Sequence, residues 1–336
     1  MSCTVSSIST KRMRNEDYWC SMRVAVPCHA FCRNDTLRAE LLADYPDVKF
    51  NDEFVRFDEA GLVRWVEDCD AAIVALEAIT ESFLAASPQL RIISKFGVGV
   101  DNLDAAALQR HGVRLGWQGG TNALSVAELA LCFAIAGLRH VGETSAAMRA
   151  GERPAAAMGR HLSGRVVGIH GCGQVGQQLV RLLAPFGCTI LVCDIADYAG
   201  FYAEHSVSRV EQDELVARSE VLSLHLPLTD QTRNLYDSRM LARMRPDCVL
   251  INTCRGGIVD ETALQLALSG GTIGAACFDV FAEEPATNDG LLALPNFLAT
   301  PHLAGSAEEA RLAMGRAAIR GLTQNAIPQP GQSPFL

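Results

Sequence analysis

The chain has 336 residues, of which 49% are hydrophobic, and this is enough for two domains with separate cores. The formal net charge of −9 disfavours nucleic acid and anionic membranes as partners, because both bind basic surfaces. Among the twelve cysteines, Cys28 and Cys32 are the closest pair, and the sequence offers neither a second pair nor a histidine cluster at zinc spacing. We see no apolar export leader at the start of the sequence. We therefore expect reduced thiols, a cytoplasmic protein and no metal site.

From Met22 onward, short apolar runs alternate with segments of helical periodicity. Residues 1–21 show neither helix nor strand periodicity and are predicted to be a disordered extension. Strands are predicted in MRVAVP, VKF, AAIVAL and RIISKF, and helices at 36–43 and 59–66. A long helix is predicted at 123–149. Its apolar run, 125–138, is shorter than the roughly 20 residues that cross a bilayer.

A second series of strands follows a predicted connection at 151–163. The runs are RVVGIHG, TILVCD, EVLSLHLP, DCVLINTC, IGAACFDV and FLATPH, and a last helix is predicted at 308–325. Strands that alternate with helices form βαβ units, in which the strands are parallel. The sequence therefore predicts an α/β protein with two parallel sheets.

Gly171, Gly173 and Gly176 form a G-x-G-x-x-G pattern between a predicted strand and a predicted helix. In such loops the first glycine allows a tight turn, the second lets a pyrophosphate approach the backbone, and the third lets helix and strand pack closely. The helix N-terminus offers free N–H groups to the phosphates. Asp194 ends the next strand, where its carboxylate can bind the ribose hydroxyls and repel a 2′-phosphate. Because residues 195–197 supply no arginine, the pattern predicts NAD and disfavours NADP.

Four further segments carry a family resemblance: SKFGVGVDNLD upstream of the glycine loop, then INTCRGGIVDETAL, FDVFAEEP and TPHLAGS downstream. Together they resemble the D-isomer-specific 2-hydroxyacid dehydrogenases, which include phosphoglycerate, glycerate and formate dehydrogenases. The resemblance covers residues 22–325 and implies a phosphoglycerate dehydrogenase-like short form without a regulatory domain. It implies a flavodoxin-like substrate domain of residues 22–117 and 303–336, with a Rossmann NAD-binding domain of residues 118–302 inserted into it. It also implies a homodimer formed through the helix at 123–149, although a role of this apolar helix in the core of the chain itself stays open.

The resemblance assigns three catalytic residues. Arg255 matches the arginine that holds the substrate carboxylate and carbonyl, Glu284 the acid that hydrogen-bonds the histidine, and His302 the general acid/base. The chemistry suits these residue types, because removing a hydroxyl proton while hydride leaves needs a base that titrates near neutrality. A carboxylate stabilises imidazolium, and a guanidinium grips a carboxylate with paired hydrogen bonds. Taken singly, each residue could also be structural; their order beside the glycine loop favours catalysis.

The resemblance also implies ligand contacts. The backbone of Val98 and Gly99 matches a cradle for the substrate carboxylate. Glu77 occupies the loop where phosphoglycerate-specific relatives carry basic residues, and it either contacts the substrate or is a solvated loop acid. We therefore expect an unphosphorylated acid related to hydroxypyruvate or glyoxylate, unless Lys95 or Arg114 reaches the site. The other expected cofactor contacts are Gln174, Val175, His225 through its backbone, Pro227, Thr232, Thr253, Cys254, Asp279 to the nicotinamide carboxamide, and Gly305.

Other functions remain open. One is a catalytically silent module that senses NAD, which the loss of any catalytic residue would have favoured. The others are phosphoglycerate dehydrogenase proper and a related enzyme that oxidises formate or phosphite, although GVGVDNLD resembles the hydroxyacid type.

Overall fold

A computed structural model describes residues 22–152 and 158–332, so the predicted extension at 1–21 and part of the predicted connection at 151–163 lie outside the described residues. The chain divides into two compact units. The first unit has the bounds Met1–Thr121 and Arg311–Leu336, and the second unit is Asn122–Ala310. These divisions, at 121/122 and 310/311, fall four and eight residues after the predicted ones at 117/118 and 302/303.

The first unit contains a five-stranded parallel sheet in the order β2-β1-β3-β4-β5. Its strands are β1 (Val24–Val26), β2 (Val48–Phe50), β3 (Ala71–Val74), β4 (Ile92–Lys95) and β5 (Arg114–Gly116). This is the flavodoxin-like order. Apolar clusters cover both faces of the sheet, which explains why the strands read as almost continuous apolar runs.

Five helices connect these strands: α1 (His29–Cys32), α2 (Asp35–Asp44), α3 (Glu59–Val66), α4 (Glu81–Ala86) and α5 (Ala105–Arg110). Four of them begin where a side chain accepts a hydrogen bond from a free N–H of the first turn. These N-caps are Asn34, Asp58, Thr80 and Asp104. Such caps explain why the helices begin at these residues.

The second unit contains a seven-stranded parallel sheet in the order β12-β11-β10-β9-β6-β7-β8. Its strands are β6 (Val166–His170), β7 (Thr189–Cys193), β8 (Ser208–Arg209), β9 (Val221–Leu224), β10 (Val249–Asn252), β11 (Ala275–Phe278) and β12 (Phe297–Ala299). The first six follow the Rossmann order, and β12 extends the sheet at one edge. The predicted α/β class with two parallel sheets is confirmed.

The helices of the second unit cover both faces of this sheet. They are α6 (Ala123–Leu138), α7 (Val141–Arg149), α8 (Gln174–Leu183), α9 (Ala199–Glu204), α10 (Gln212–Arg218), α11 (Ser238–Leu241), α12 (Glu261–Ser269) and α13 (Asp289–Leu292). The last helix, α14 (Glu308–Gly321), returns to the first unit. There a Cβ on Gly315 would come within 2.2 Å of Leu37, so glycine allows α14 to pack closely against α2.

The predicted continuous helix at 123–149 is wrong. It breaks at Arg139 and His140, and α6 and α7 meet at a bend of 69°. His140 has a left-handed backbone (φ +54°), which ends the first helix, and Gly142 then lies against Leu298 of β12. Within the described ranges no single helix is long and apolar enough to span a membrane, although α6 and α7 together meet that criterion as a bent pair.

The cysteines of the described residues are all free thiols, and most are buried. Burial raises the pKa of Cys248 and Cys277 to about 12, so these thiols stay protonated at neutral pH. No group of three or more histidine, cysteine or acidic side chains that could hold a metal occurs in residues 22–152 and 158–332.

Candidate active site

The predicted site residues of the second unit cluster at the carboxyl ends of its strands. Because the strands are parallel, all of these ends lie along one edge of the sheet, where open α/β sheets bind ligands. The residues and the strands that they follow are Gly171 (β6), Asp194 (β7), His225 (β9), Arg255 (β10), Asp279 and Glu284 (β11), and His302 (β12).

His302 and Glu284 are in direct contact. Nδ1 of the imidazole donates to Oε2 of Glu284 at 2.8 Å, because an ionised carboxylate can only accept. The second carboxylate oxygen accepts from the backbone N–H of Phe281 at 3.1 Å, which fixes its orientation. With Nδ1 occupied, Nε2 is the nitrogen that can exchange a proton with a ligand. The His302 side chain is 54% exposed, so a ligand can reach it.

Asp279 holds the turn that carries His302. It is completely buried, and its carboxylate accepts from Oγ1 of Thr300 at 2.5 Å and from the N–H groups of Leu303 and Ala304 at 2.8 Å each. Its carbonyl accepts from the N–H of His302 at 2.8 Å. These bonds stabilise the left-handed backbone of His302 (φ +53°). The structure therefore gives Asp279 a positioning role, and its predicted contact with the carboxamide stays a prediction.

Arg255 lies in a turn that is packed against the Glu284 loop. The side chain of the buried Asn252 donates to the carbonyl of Arg255 at 2.9 Å. A Cβ on Gly256 would come within 1.8 Å of the carbonyl oxygen of Phe281, so only glycine fits there. The turn that carries Arg255 is thus packed against the segment that leads into Glu284, and Nη1 of Arg255 donates to the carbonyl of Cys254 at 2.7 Å.

The glycine loop has the geometry that a pyrophosphate needs. Gly171 has φ +95°, and a Cβ there would lie 2.4 Å from the carbonyl oxygen of His225. A Cβ on Gly176 would lie 2.3 Å from the carbonyl oxygen of Gly171. A Cβ on Gly173, by contrast, would meet no atom within 4 Å. Protein packing therefore explains the first and third glycines, whereas the space beside Gly173 and the start of α8 fits a bound phosphate group.

Asp194 ties the end of β7 to the glycine loop. Its carboxylate accepts from the N–H of Cys172 at 2.5 Å and from that of Ala196 at 2.7 Å. Residues 195–197 supply no arginine, as predicted, but an arginine from a later strand lies here: Nη2 of Arg209 donates to the carbonyl of Asp194 at 3.2 Å. Arg209 lies on β8, a two-residue strand that leaves no readable pattern in the sequence. The half-exposed guanidinium of Arg209 thus lies near the end of β7, where the cofactor ribose is predicted to bind.

Two buried polar atoms at the same edge have no hydrogen-bond partner in the described chain, Nδ1 of His225 and Oγ1 of Thr253. Burial lowers the pKa of His225 to about 3, so its ring is neutral, and Nε2 pairs with the hydroxyl of Ser223 at 2.9 Å. Unsatisfied buried polar groups are costly, and a polar ligand at this edge would satisfy them. The residues present therefore fit a bound dinucleotide.

The other predicted cofactor residues lie at the same edge. Thr232 and Pro227 share the loop after β9, where Oγ1 of Thr232 donates to the carbonyl of Pro227 at 2.6 Å. Gln174 and Val175 begin α8, and Cys254 immediately precedes Arg255. Gly305 follows β12, where a Cβ would lie 2.7 Å from Nδ2 of Asn122.

His170, the last residue of β6, had no predicted role in the site. Its Nδ1 is 2.7 Å from the hydroxyl of Tyr236, and both side chains are buried. Burial lowers the pKa of His170 to about 4 and raises that of Tyr236 well above its ordinary value. This neutral pair joins the strand before the glycine loop to the segment that follows the Pro227–Thr232 loop.

The predicted substrate residues Val98, Gly99 and Glu77 lie in the first unit, at the carboxyl ends of β4 and β3. The indole N–H of Trp117 donates to the carbonyl of Val98 at 2.9 Å. In the described parts of the chain the N–H groups of Val98 and Gly99 donate no backbone hydrogen bond. Oε2 of Glu77 accepts from the N–H of Ala75 at 2.6 Å, so this acid also shapes its own loop.

The two basic residues considered for a phosphate are engaged inside the first unit. Lys95 is buried, and its ammonium donates to the carbonyl of Ala75 and to Oδ1 of Asn102, the latter at 2.6 Å. The guanidinium of Arg114 donates to the carbonyl of Asn325 at 2.5 Å and to its side-chain oxygen.

Comparisons with known proteins agree with this geometry. Residues 131–304 match the family model described as D-isomer specific 2-hydroxyacid dehydrogenase, NAD binding domain. Over 256 residues the chain is 35% identical to D-3-phosphoglycerate dehydrogenase of Mycobacterium leprae, which covers 76% of this chain and 48% of that protein. The chain therefore spans about half the length of the mycobacterial relatives that it matches.

Two other proteins match over nearly their whole length. Hydroxypyruvate reductase of Thermotoga maritima is 32% identical over 290 residues, covering 84% of this chain and 93% of that protein. The crystal structure of a glyoxylate reductase from Paecilomyes thermophila is 25% identical with a TM-score of 0.82, covering 94% of this chain and 98% of that one.

Proposed function

The chain belongs to the D-isomer-specific 2-hydroxyacid dehydrogenase family, and we propose that it transfers a hydride between NAD and carbon 2 of a small 2-hydroxy or 2-keto acid. The observation that carries this proposal is the 2.8 Å contact between His302 and Glu284. The pair lies at the sheet edge that also carries the glycine loop. An imidazole oriented by a carboxylate is the arrangement that general acid–base catalysis needs.

In this mechanism NAD, when bound, would supply the acceptor for the hydride that leaves carbon 2. Nε2 of His302 takes the hydroxyl proton in the oxidation and returns it in the reduction. Glu284 holds the ring through Nδ1 and stabilises the imidazolium that forms. The guanidinium of Arg255 binds the substrate carboxylate and carbonyl, where its fixed charge lowers the energy of the developing alkoxide.

The cofactor contacts follow from the fit of the residues. The N–H groups at the start of α8, with Gly171 and Gly173, would hold the pyrophosphate, and Asp194 the adenosine ribose. His225 and Thr253 would offer their unpartnered atoms to the nicotinamide half.

Kinetics of His302→Ala and Glu284→Gln test the proposal. We expect His302→Ala to lower kcat by about 10²- to 10⁴-fold, the usual contribution of a positioned acid/base. Glu284→Gln should lower kcat by roughly tenfold, because a charged hydrogen bond contributes about 1.5–3 kcal/mol and this pair is partly solvent-screened.

Fluorescence titration should show that both variants bind NADH as the unsubstituted chain does. His161→Ala, at an exposed histidine of the same unit, is the control and should keep full activity. An active His302→Ala variant would refute the role given to this residue.

For the substrate, we propose an unphosphorylated acid that the N–H groups of Val98 and Gly99 bind through its carboxylate. The engagement of Lys95 and Arg114 inside the first unit supports this choice, because neither is left to hold a phosphate. The identity with D-3-phosphoglycerate dehydrogenase favours a second candidate, and a comparison of hydroxypyruvate with 3-phosphohydroxypyruvate separates the two.

We also propose that the chain is a cytoplasmic homodimer. Free cysteines suit a reducing compartment. Four large apolar side chains of α6 and α7 are exposed, which suits burial by a second copy; they are Leu124, Ile135, Val141 and Met148. Light scattering coupled to size-exclusion chromatography would reveal a monomer if this is wrong.

A further inference from the structure

The amide of Asn252 lies at the centre of the turn that carries Arg255. Asn252 is the last residue of β10, and it is buried, with 1% of its surface exposed. Its Nδ2 donates to the carbonyl of Arg255 at 2.9 Å. Its Oδ1 accepts from the backbone N–H of Cys254 and from the thiol of the same residue, at 3.1 Å each. One side chain therefore holds both ends of the segment from Cys254 to Arg255.

The same short segment contacts the guanidinium. Nη1 of Arg255 donates to the carbonyl of Cys254 at 2.7 Å. That carbonyl belongs to the peptide group between the two residues that Asn252 holds, so the position of the amide determines where the carbonyl points. Asn252 is thus connected to the guanidinium of Arg255 through a single peptide group.

Two glycines follow Arg255 and make the turn dependent on this amide. Gly256 packs against the carbonyl of Phe281, and Gly257 has a left-handed backbone with φ +77°. Glycine loses more conformational freedom on folding than any other residue, and it brings no side chain that could hold the turn. The contact with Phe281 restricts the turn on one side, and the hydrogen bonds of Asn252 restrict it on the other.

A role in the fold alone is the alternative for Asn252. Its backbone has such a role, because its carbonyl accepts from the N–H of Asp279 at 2.9 Å and so joins the ends of β10 and β11. The side chain differs: every hydrogen bond recorded for it within the described ranges goes to Cys254 or Arg255. A buried amide whose bonds all serve one short turn is expected to fix the geometry of what that turn presents.

From these contacts, and resting on the function proposed above, we infer that Asn252 is a positioning residue that holds the guanidinium of Arg255 in the orientation that binds the substrate carboxylate. A guanidinium pairs with a carboxylate through two parallel hydrogen bonds, and this geometry tolerates little displacement. A displacement of about 1 Å lowers the rate by up to roughly 10²-fold. The glycine loop and Asp194 follow other strands, β6 and β7, so coenzyme binding should not depend on this amide.

Steady-state kinetics of Asn252→Ala in the full chain are the first test. The substrate is whichever of glyoxylate, pyruvate, hydroxypyruvate, phenylpyruvate and 3-phosphohydroxypyruvate the unsubstituted chain reduces fastest. For that acid kcat/KM should fall roughly 10- to 100-fold. The dissociation constant of NADH, from fluorescence titration, should stay within about threefold.

Asn296→Ala is the matched control. The Asn296 amide also holds backbone carbonyls of the same unit, those of Leu268 and Gly274, at 3.3 Å and 3.2 Å. Asn296 precedes β12 and therefore lies at the opposite edge of the sheet from the site. Its variant should keep kcat/KM, and equal losses in the two alanine variants would overturn the inference.

Asn252→Asp tests the donor without changing the size of the side chain. An ionised carboxylate still accepts from the N–H of Cys254, but it has no N–H to donate to the carbonyl of Arg255. This variant should keep the melting temperature of the unsubstituted chain more closely than Asn252→Ala does, and should still lose kcat/KM by about tenfold. Full activity of Asn252→Asp would overturn the inference.

The loss should also depend on Arg255. In an Arg255→Lys background, whose ammonium lacks the planar fork of the guanidinium, adding Asn252→Ala should lower kcat/KM by less than about threefold. The same fold-loss in both backgrounds would show that Asn252 acts on the fold and not through the guanidinium.

Calorimetry of oxamate with the NADH-saturated chain supplies a readout independent of turnover, because oxamate is an analogue of a 2-keto acid that takes no hydride. Asn252→Ala should weaken oxamate binding by about tenfold. If the unsubstituted chain binds NADH but reduces none of the five acids and binds no oxamate, the proposed function itself fails. If the unsubstituted chain is active and Asn252→Ala keeps its kcat/KM, only the role given to Asn252 is refuted.

Discussion

The buried pair of His170 and Tyr236 should make the second unit sensitive to mild acid. The pKa of His170 is about 4 in the folded chain, against an ordinary value of 6.5. Between these values the unfolded chain takes up a proton that the folded chain refuses. The neutral ring therefore contributes stability that is fully present above pH 6.5 and is lost as the pH falls towards 4.

The size of this loss of stability follows from the difference between the two pKa values of His170. At pH 5 the unfolded imidazole is 1.5 pH units below its ordinary pKa of 6.5, whereas the folded ring is still neutral. At about 1.36 kcal/mol per unit, the loss between pH 7 and pH 5 is about 2 kcal/mol. His225, with a pKa of about 3, adds a similar loss that is common to every protein compared below.

The assay is urea unfolding at pH 7 and pH 5, followed by far-ultraviolet circular dichroism. The double variant His170→Phe/Tyr236→Phe replaces both polar partners by apolar rings, which leaves no buried group unsatisfied. It should lose about 2 kcal/mol less stability between the two pH values than the unsubstituted chain. His161→Phe, at an exposed position, should keep the full loss. An equal loss in the chain and the double variant would refute the reasoning.

Two further predictions concern the cofactor. Gly173→Ala should fold normally, because its methyl group enters open space beside the glycine loop. Since the cofactor phosphate is proposed to occupy that space, the variant should weaken NADH binding at least tenfold in a fluorescence titration. In Gly176→Ala the Cβ would lie 2.3 Å from a carbonyl oxygen, so this variant should weaken NADH binding and also lower the melting temperature. Undiminished NADH binding by Gly173→Ala would contradict a phosphate at that position. Asp194→Ala should reduce the preference for NADH over NADPH by about tenfold or more, and an unchanged ratio of the two dissociation constants would exclude Asp194 as the discriminating residue.

Much of the fold was predictable because its signals are local. Both faces of each sheet are covered, so nearly every strand is a short apolar run, and the glycine pattern marks one βα turn by itself. The family resemblance, with its fold and its NAD-binding domain, is confirmed. The contact between Glu284 and His302 was implied by motif order, although the two residues are separated by a strand and its connections.

The unpredicted features depend on contacts between distant segments. The break at His140 reflects packing of α7 on β12, which lies far along the chain. The two-residue strand β8 is too short to show a period, so Arg209 was missed. No local pattern reveals that Tyr236 lies against His170 or that Asp279 is enclosed by the residues around His302.

The position of Arg209 has a consequence for how coenzyme use can evolve in this chain. A change of coenzyme from NAD to NADP, whose ribose carries a 2′-phosphate, ordinarily requires both the loss of an acidic residue and the gain of a basic one. Here the cation already lies against the Asp194 carbonyl, with only a loose 3.7 Å contact to Asp197. Replacement of Asp194 alone would therefore remove the acid and leave a cation in place at the end of β7.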